Sequence, residues 1–201
     1  MISKAYMQKI DELCDQETES QIADKVGTFP PLVLAAVNGH VKTLQVLIKA
    51  GANIEAKDNY GCTALIAAAQ NDHVEALKFL LEAGADINAR SLEDCDALWI
   101  AACFGHHKSL ELLLQAGADV ETKNKDGWTP LMISASDGEI EIMKSLLDNN
   151  AFLEAYNHDG FTALMIAAQN GQTEAVELLL EAGANIEVEE EEVSLLVEAI
   201  H

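Results

Sequence analysis

The sequence has little positive charge. Twelve Lys and Arg residues stand against 34 Asp and Glu residues, and the formal net charge is −22. Nucleic acids and anionic membranes attract proteins that carry a surplus of positive charge, because such proteins displace counterions from phosphate groups. We therefore expect neither a nucleic acid nor a membrane as a partner.

Long apolar runs are also missing. No run reaches about 18 residues, the length that a membrane-spanning helix needs. The chain starts with MISKAYMQKIDELCDQ, which carries charges where a secretory signal would be apolar. The sequence predicts a soluble chain that is not secreted.

What the sequence does contain is enough apolar material for a core. Of its 201 residues, 49% are hydrophobic, which excludes a disordered chain. Five of the acidic residues lie in the run at 187–192, which we expect to be solvated. The other acidic residues are spread along the chain, so we expect the whole surface to be acidic.

A 33-residue period runs through most of the chain without an insertion or a deletion. Five copies follow one another, and the same columns hold apolar or small residues in each copy. The clearest column is Leu32, Leu65, Leu98, Leu131 and Leu164. A fixed period of this length predicts a stacked array of identical supersecondary units.

Each copy predicts two short helices. The segment 63–70 starts with a hydroxyl that can cap a helix and continues with small helix formers. The segment 73–83 has apolar residues at the spacing of an amphipathic helix, and Gly84 ends it. Asn150 takes the position of this glycine in the fourth copy, and Asn is the residue that best tolerates the same left-handed conformation.

The pattern resembles the ankyrin repeat. The segments DGWTPLMISASDG at 126–138 and GFTALMIAAQNG at 160–171 carry the resemblance, which covers residues 28–188. It implies an all-α fold, the ankyrin repeat solenoid, in which every 33-residue repeat is a helix-turn-helix unit plus a β-hairpin loop.

The sequence departs from the family pattern in two ways. Apolar residues replace the family's histidine after the helix start, and we expect apolar packing to replace its hydrogen bonds. The replacing residues are Val33, Ile66, Trp99, Met132 and Met165. In the third copy Asp94 replaces the hairpin glycine and Asp96 the threonine, so we expect its hairpin loop to be distorted.

The resemblance divides the chain into repeats and two end segments. The repeats are predicted at 28–57, 58–90, 91–123, 124–156 and 157–189. Residues 1–27 are predicted to be an N-terminal helical cap, because Ile2, Tyr6, Ile10 and Leu13 fall on one helical face. Residues 190–201 are either a C-terminal cap or a truncated sixth repeat, since 193–200 is apolar.

Histidines and cysteines give no strong sign of chemistry. His40, His73 and His106 recur at 33 residues, which places them on a ladder, and the family implies that they cap turns by hydrogen bonding. The cluster of Cys103, His106 and His107 lacks a fourth ligand and is a weak zinc motif.

Cys62 and Cys95 share a column, so they lie too far apart for a disulfide. Free thiols point to the cytoplasm, or to the nucleus.

No catalytic motif accompanies the repeats, and every glycine has a place in a turn. We therefore predict a protein that is not an enzyme and that has no catalytic residues, no cofactor and no metal.

The family implies a binding surface on the concave face, which the hairpin loops and first helices form. Six columns of the 33 face it, and six of the nine aromatic residues in the repeats fall in those columns. The predicted protein-binding residues are Tyr60, Glu93, Phe104, Asp126, Trp128, Asp137, Tyr156 and Phe161. Phe29, Trp128 and Phe161 share one column. Either these side chains contact the partner, or they pack against the neighbouring hairpin loop, and both alternatives stay open.

These features predict a monomeric, non-enzymatic protein-protein interaction module. The partner protein would have apolar anchors and a basic rim, because the surface is aromatic with an acidic surround. One alternative is a structural or targeting segment of a larger multidomain protein. Another is an acidic mimic that occupies the nucleic-acid site of a basic protein.

Overall fold

The computed structural model describes residues 29–186, and these residues form ten α-helices and no β-strand. The helices are α1 (Pro31–Val37), α2 (Val41–Lys49), α3 (Ala64–Gln70), α4 (Val74–Glu82), α5 (Ala97–Cys103), α6 (His107–Gln115), α7 (Pro130–Asp137), α8 (Ile140–Asp148), α9 (Ala163–Gln169) and α10 (Thr173–Glu181). They form five pairs, one for each predicted copy, so the predicted all-α fold is confirmed. We call α1, α3, α5, α7 and α9 the first helices and the others the second helices.

Four of the five first helices, α3, α5, α7 and α9, start at capping side chains. Thr63 accepts a hydrogen bond from the Ile66 amide, and Thr129 and Thr162 make the equivalent bonds in α7 and α9. Such bonds satisfy an amide that the helix itself leaves without a partner. The first helices then bury small side chains, such as Ala68 and Ala69, which are fully buried. Small residues let neighbouring helices approach closely.

The second helices are amphipathic. In α4 the side chains of Ala76, Leu77 and Leu80 are buried, whereas Glu75 and Lys78 are exposed. A left-handed residue follows each second helix, and Asn150 has a φ of 63° where Gly84 has 88°. The sequence-based prediction for Asn150 is therefore confirmed.

The chain divides into two compact units, Met1–Asp119 and Val120–His201. In the first unit α3 packs between α1 and α5, and α4 packs between α2 and α6. In the second unit α7 packs against α9, and α8 packs against α10. Every first helix also packs against the second helix of its own pair. The core of each unit therefore lies between helix pairs.

Two methionines that replace the family's histidine accept hydrogen bonds through their sulfur atoms. The Thr129 amide donates to Met132 Sδ at 3.5 Å, and the Thr162 amide donates to Met165 Sδ at 3.5 Å. Met132 is also buried, as expected from apolar packing. A weak hydrogen bond to a thioether therefore accompanies the packing that we predicted.

The predicted distortion of the third hairpin loop is wrong. The Ser91 amide donates to the Cys95 carbonyl at 2.9 Å, as the Asp58 amide does to the Cys62 carbonyl at 3.0 Å. Asp94 adopts the left-handed conformation with a φ of 56°. Asp96 caps α5, since its Oδ1 accepts from the Trp99 amide at 2.9 Å. Aspartate tolerates the left-handed region and is a good N-cap, so both replacements keep the geometry.

The two predicted end segments, 1–27 and 190–201, lie outside the described residues. Ile2, Tyr6, Ile10 and Leu13 are among them, and the repeat boundaries themselves stay a prediction.

The left-handed Asp94 gives a test of this loop. Asp94→Gly is expected to raise the free energy of unfolding by about 0.5–1 kcal/mol, because glycine adopts a positive φ without a clash of its Cβ. Asp94→Ala is expected to lower it by about 1 kcal/mol, because alanine lacks the local tolerance of aspartate. Urea denaturation of the three proteins checks the order. Equal midpoints would contradict the assigned backbone conformation.

Candidate functional site

Four turns between the helix pairs share one design. We call these turns, at 58–62, 91–95, 124–128 and 157–161, the fingers. In the last of them Asn157 Oδ1 accepts from the amides of Asp159 at 3.0 Å and Phe161 at 2.9 Å. The corresponding first residues, Asp58, Ser91 and Asn124, accept from the amides two and four residues further on. A side-chain oxygen thus fixes the shape of every finger.

Neighbouring fingers within a unit are joined by backbone hydrogen bonds. The Leu92 amide donates to the Tyr60 carbonyl at 2.9 Å, and the His158 amide donates to the Asp126 carbonyl at 3.0 Å. A Cβ on Gly61 would lie 2.7 Å from the Leu92 nitrogen, so the close approach requires glycine there. The fingers are therefore held in register.

The first unit holds three of the predicted binding residues. Tyr60 is half-buried at its finger tip, and Glu93 is exposed at the equivalent position of the next finger. Phe104 is half-buried at the end of α5. Its ring stacks on the ring of His106, with centroids 5.9 Å apart and an interplanar angle of 19°.

His106 joins two helix pairs. Its Nε2 donates to the Gln70 carbonyl at 3.0 Å, and His73 Nε2 donates in the same way to the Val37 carbonyl at 2.9 Å. Both bonds satisfy a carbonyl at the end of the preceding first helix. The predicted capping role is confirmed for these two histidines, and Phe104 packs beside one of the bonds.

The second unit holds the other five predicted residues. Asp126 is exposed, and Asp137, Tyr156 and Phe161 are half-buried. Trp128 is the exception, because its side chain is only 7% exposed.

Trp128 therefore packs in the core, which is one of the two alternatives left open for its column, and its predicted role in protein binding stays a prediction. Its amide donates to Asn124 Oδ1 at 2.9 Å and its carbonyl accepts from the Asn124 amide, so the finger holds the ring at a fixed place. Phe29 and Phe161, in the same column, are half-buried. One column thus contains both a packing residue and residues that solvent reaches.

Part of the acidity has a structural role that the sequence analysis missed. Glu55 Oε1 accepts from the Asp86 amide at 2.8 Å, and Glu121 Oε1 accepts from the Phe152 amide at 2.8 Å. Glu154 Oε1 accepts from the Asn185 amide at 2.9 Å. Each bond joins one copy to the loop after the next copy's second helix. The recurrence of Glu at 33-residue multiples is the signal that could have revealed these bonds.

Two exposed apolar residues were also missed. Leu92, at a finger tip, is 59% exposed, and Phe152, after α8, is 61% exposed. Leu92 occupies a column whose other members are Asn59, Lys125 and His158. An apolar residue in an otherwise polar column was the signal that could have revealed Leu92. The prediction of the binding surface used only aromatic and acidic residues.

The cysteines of the described part are free thiols. Cys62 is half-buried, and Cys95 and Cys103 are buried. Burial, with smaller contributions from Cys103 and Asp96, raises the pKa of the Cys95 thiol. A raised pKa disfavours the thiolate, so Cys95 is a poor nucleophile. Within residues 29–186 no three His, Cys, Asp or Glu residues are grouped as metal ligands.

Asp58, the first residue of the first finger, has a carboxyl group with a shifted pKa. Burial raises the pKa of its carboxyl group, and the hydrogen bonds from the Cys62 and Tyr60 amides oppose the rise without cancelling it. At neutral pH the folded protein therefore holds a partly desolvated carboxylate.

Comparisons with known proteins give one family. A model described as "Ankyrin repeats (3 copies)" matches residues 3–91 and 98–190, and one described as "Ankyrin repeats (many copies)" matches residues 72–114. A search of curated proteins found no match. In the part of the chain with assigned structure, every helix is too short or too polar to cross a membrane.

The burial of Trp128 predicts a large effect on stability. Trp128→Ala is expected to lower the free energy of unfolding by about 3 kcal/mol, because it leaves a cavity in the core. Phe161→Ala, in the same column but half-buried, is expected to cost about 1 kcal/mol. Urea denaturation of both variants measures the difference. An unchanged midpoint for Trp128→Ala would show that the ring does not pack in the core.

The raised pKa of Asp58 predicts that Asp58→Asn stabilises the protein at neutral pH. Asparagine keeps the accepting oxygen, as in the fingers of Asn124 and Asn157, and removes the desolvated charge. Because the folded pKa is raised, the folded chain binds the proton more tightly, and the wild-type protein loses stability as the pH rises through that pKa. The gain of Asp58→Asn is thus largest at about pH 7 and disappears at about pH 3.

Urea denaturation of both proteins at the two pH values checks this dependence. Asp126→Asn is the control, because it removes an exposed charge from another finger. A gain for Asp58→Asn that is independent of pH would contradict the assigned cause.

Proposed function

Because the chain belongs to the ankyrin repeat family, whose repeats are generally protein-protein interaction modules, we propose that it binds a partner protein through its fingers and the ends of its first helices. The family is typically non-enzymatic, and we propose the same for this chain.

The observation that carries this proposal is that partly exposed aromatic side chains occur together with exposed carboxylates at the fingers. In the second unit Tyr156 and Phe161 are half-buried, and Asp126 and Asp159 are exposed at the two finger tips. In the first unit Tyr60 and Glu93 make the corresponding pair of one aromatic and one acidic residue. Aromatic residues supply a large contact area, and acidic neighbours favour a basic surround on the partner.

The hydrogen bonds of the fingers support the proposal physically. Asn124 and Asn157 fix the turns, and the bond from the His158 amide to the Asp126 carbonyl holds the two tips at a constant spacing. A surface that is rigid before binding loses little conformational entropy on association. The finger residues thus satisfy the requirement of a preorganised binding surface.

The partner that suits this surface has apolar anchors and Lys or Arg at its rim. Tyr60, Glu93, Phe104, Asp126, Asp137, Tyr156 and Phe161 are the proposed contact residues. Trp128 is not among them, because its side chain is only 7% exposed. We also propose a monomer that acts in the cytoplasm or in the nucleus, where the free thiols Cys62, Cys95 and Cys103 stay reduced.

Affinity capture tests this function. The full chain is used as bait in a lysate of its source cells, beside the double variant Tyr156→Ala, Phe161→Ala. Loss of two aromatic contacts is expected to reduce the captured partner at least about tenfold, because such residues each contribute more than about 1 kcal/mol at many interfaces. Quantitative mass spectrometry measures the ratio.

Two controls separate binding from folding. Val46→Ala changes a side chain that is 67% exposed on α2 and is not one of the proposed contact residues, and this variant should capture the partner normally. Circular dichroism should show that the double variant keeps its helices. If wild type and double variant retain the same proteins in equal amounts, the fingers of the second unit are not the binding surface.

A further inference from the structure

Of the four fingers in residues 29–186, only the finger at 91–95 starts with a hydroxyl side chain. Ser91 takes the position that the other fingers fill with Asp58, Asn124 and Asn157. Its Oγ accepts from the Glu93 amide at 3.3 Å and from the Cys95 amide at 3.2 Å. The carboxylate of Asp58 accepts from the equivalent two amides of its finger at 2.8 Å. The pair of amides in this turn therefore binds an anionic oxygen well, and serine reaches it less closely.

Two cationic side chains lie beside Ser91, although the chain has few of them. Arg90, the only arginine in the sequence, directly precedes Ser91. Its Nη1 donates to the Asp94 carbonyl in the same finger at 2.7 Å. Lys57 Nζ donates to the Arg90 carbonyl at 2.8 Å, and that carbonyl belongs to the peptide group that joins Arg90 to Ser91. Arginine binds a phosphate group through parallel hydrogen bonds and lysine binds it as a point charge, so this side of the finger suits a phosphate.

The residues after Ser91 carry the charge that some protein kinases select. Glu93 and Asp94 lie two and three positions after Ser91, and both are exposed. Kinases choose substrates in part by charge pattern, and an acidic pattern fits a kinase whose substrate groove is basic. Ser91 therefore combines an acidic recognition sequence with a turn that can hold the product phosphate.

Burial and helical structure separate Ser91 from the other serines with this pattern. In residues 29–186, an acidic residue also lies three positions after Ser134, Ser136 and Ser145. Ser134 and Ser136 are buried. Ser145 is half-buried within α8, so a kinase reaches it only after the helix opens. Ser91 is also half-buried, but it lies in a turn whose next three residues are exposed, and a small local opening makes it accessible.

We propose that Ser91 is a phosphorylation site for a protein kinase that selects acidic substrates. The kinase transfers the γ-phosphoryl group of a nucleoside triphosphate to Ser91 Oγ. A bond forms between Oγ and phosphorus, and the bond from that phosphorus to the β,γ-bridging oxygen breaks. The hydroxyl proton passes to a carboxylate of the kinase, and a nucleoside diphosphate leaves. The phosphate group carries a charge of about −1.5 to −2 at pH 7.

The phosphate strengthens the finger. Its oxygens reach further than Oγ, so they accept charge-assisted hydrogen bonds from Arg90, from Lys57 and from the two amides that Oγ reaches only at 3.2 and 3.3 Å. The carboxylates of Glu93 and Asp94 repel the phosphate, but both side chains are exposed and solvent screens the repulsion. The added charge also lies near Glu93, a proposed contact residue, and increases the attraction for a basic rim; this last consequence rests on the proposed function.

Phosphorylation of the full chain in vitro tests the proposal. The chain is incubated with ATP and a purified kinase that selects acidic substrates, and peptide mass spectrometry measures the phosphate at each serine. Ser91 is expected to be at least about tenfold more phosphorylated than Ser136, which has the same pattern but is buried. Ser91→Asn, which introduces the residue type of two other fingers, should remove this phosphate, whereas Ser145→Ala should not. Absence of phosphate from Ser91, or equal phosphate at Ser91 and Ser136, would overturn the proposal.

Hydrogen exchange tests whether the finger holds the phosphate. Phosphorylation is expected to slow exchange of the Glu93 and Cys95 amides about threefold. In Arg90→Gln the same comparison should show little slowing, and Lys78→Gln, which removes an exposed cation from α4, should behave as wild type. Faster exchange after phosphorylation, or full slowing in Arg90→Gln, would overturn the assigned contacts. Neither experiment needs the partner protein, so a negative result in either leaves the proposed function untouched.

Discussion

Each of the ten helices in residues 29–186 depends on its neighbours, because none of the ten is long enough to be stable alone. The first helices have seven or eight residues and the second helices nine, whereas isolated helices shorter than about 12–15 residues are marginal in water. Close packing of first helices through alanine, such as Ala68 and Ala69 in α3, supplies the missing stabilisation. Stability is thus shared between adjacent pairs, as in other repeat proteins.

The polar side chains follow from the same constraint. Neighbouring pairs leave backbone groups at helix ends and loops, and side chains from the next copy satisfy them. His73 donates to a carbonyl of the preceding pair, and Glu55 accepts from an amide of the following one. Some of the negative charge is therefore structural. The carboxylates at the finger tips, such as Asp126 and Glu93, are the part that a partner could meet.

Aromatic residues divide in a similar way between packing and exposure. Trp128 is buried and Phe161 is half-buried, although they occupy the same column. Phe104 is half-buried but also stacks on His106, which joins two pairs. A change at Phe104 therefore tests packing and binding together, whereas Tyr156 and Phe161 give the clearer test of binding.

The period and its helix signals could be read from the sequence, because they depend on local rules that a repeated pattern reinforces. The five helix pairs, the caps at Thr63 and Thr129 and the left-handed Asn150 all have this origin. Exposure within a column could not be read in this way, since it depends on what packs on each copy. The burial of Trp128, the exposure of Leu92, the regular geometry at Asp94 and the exposure of Ala168 in α9 were decided by tertiary packing.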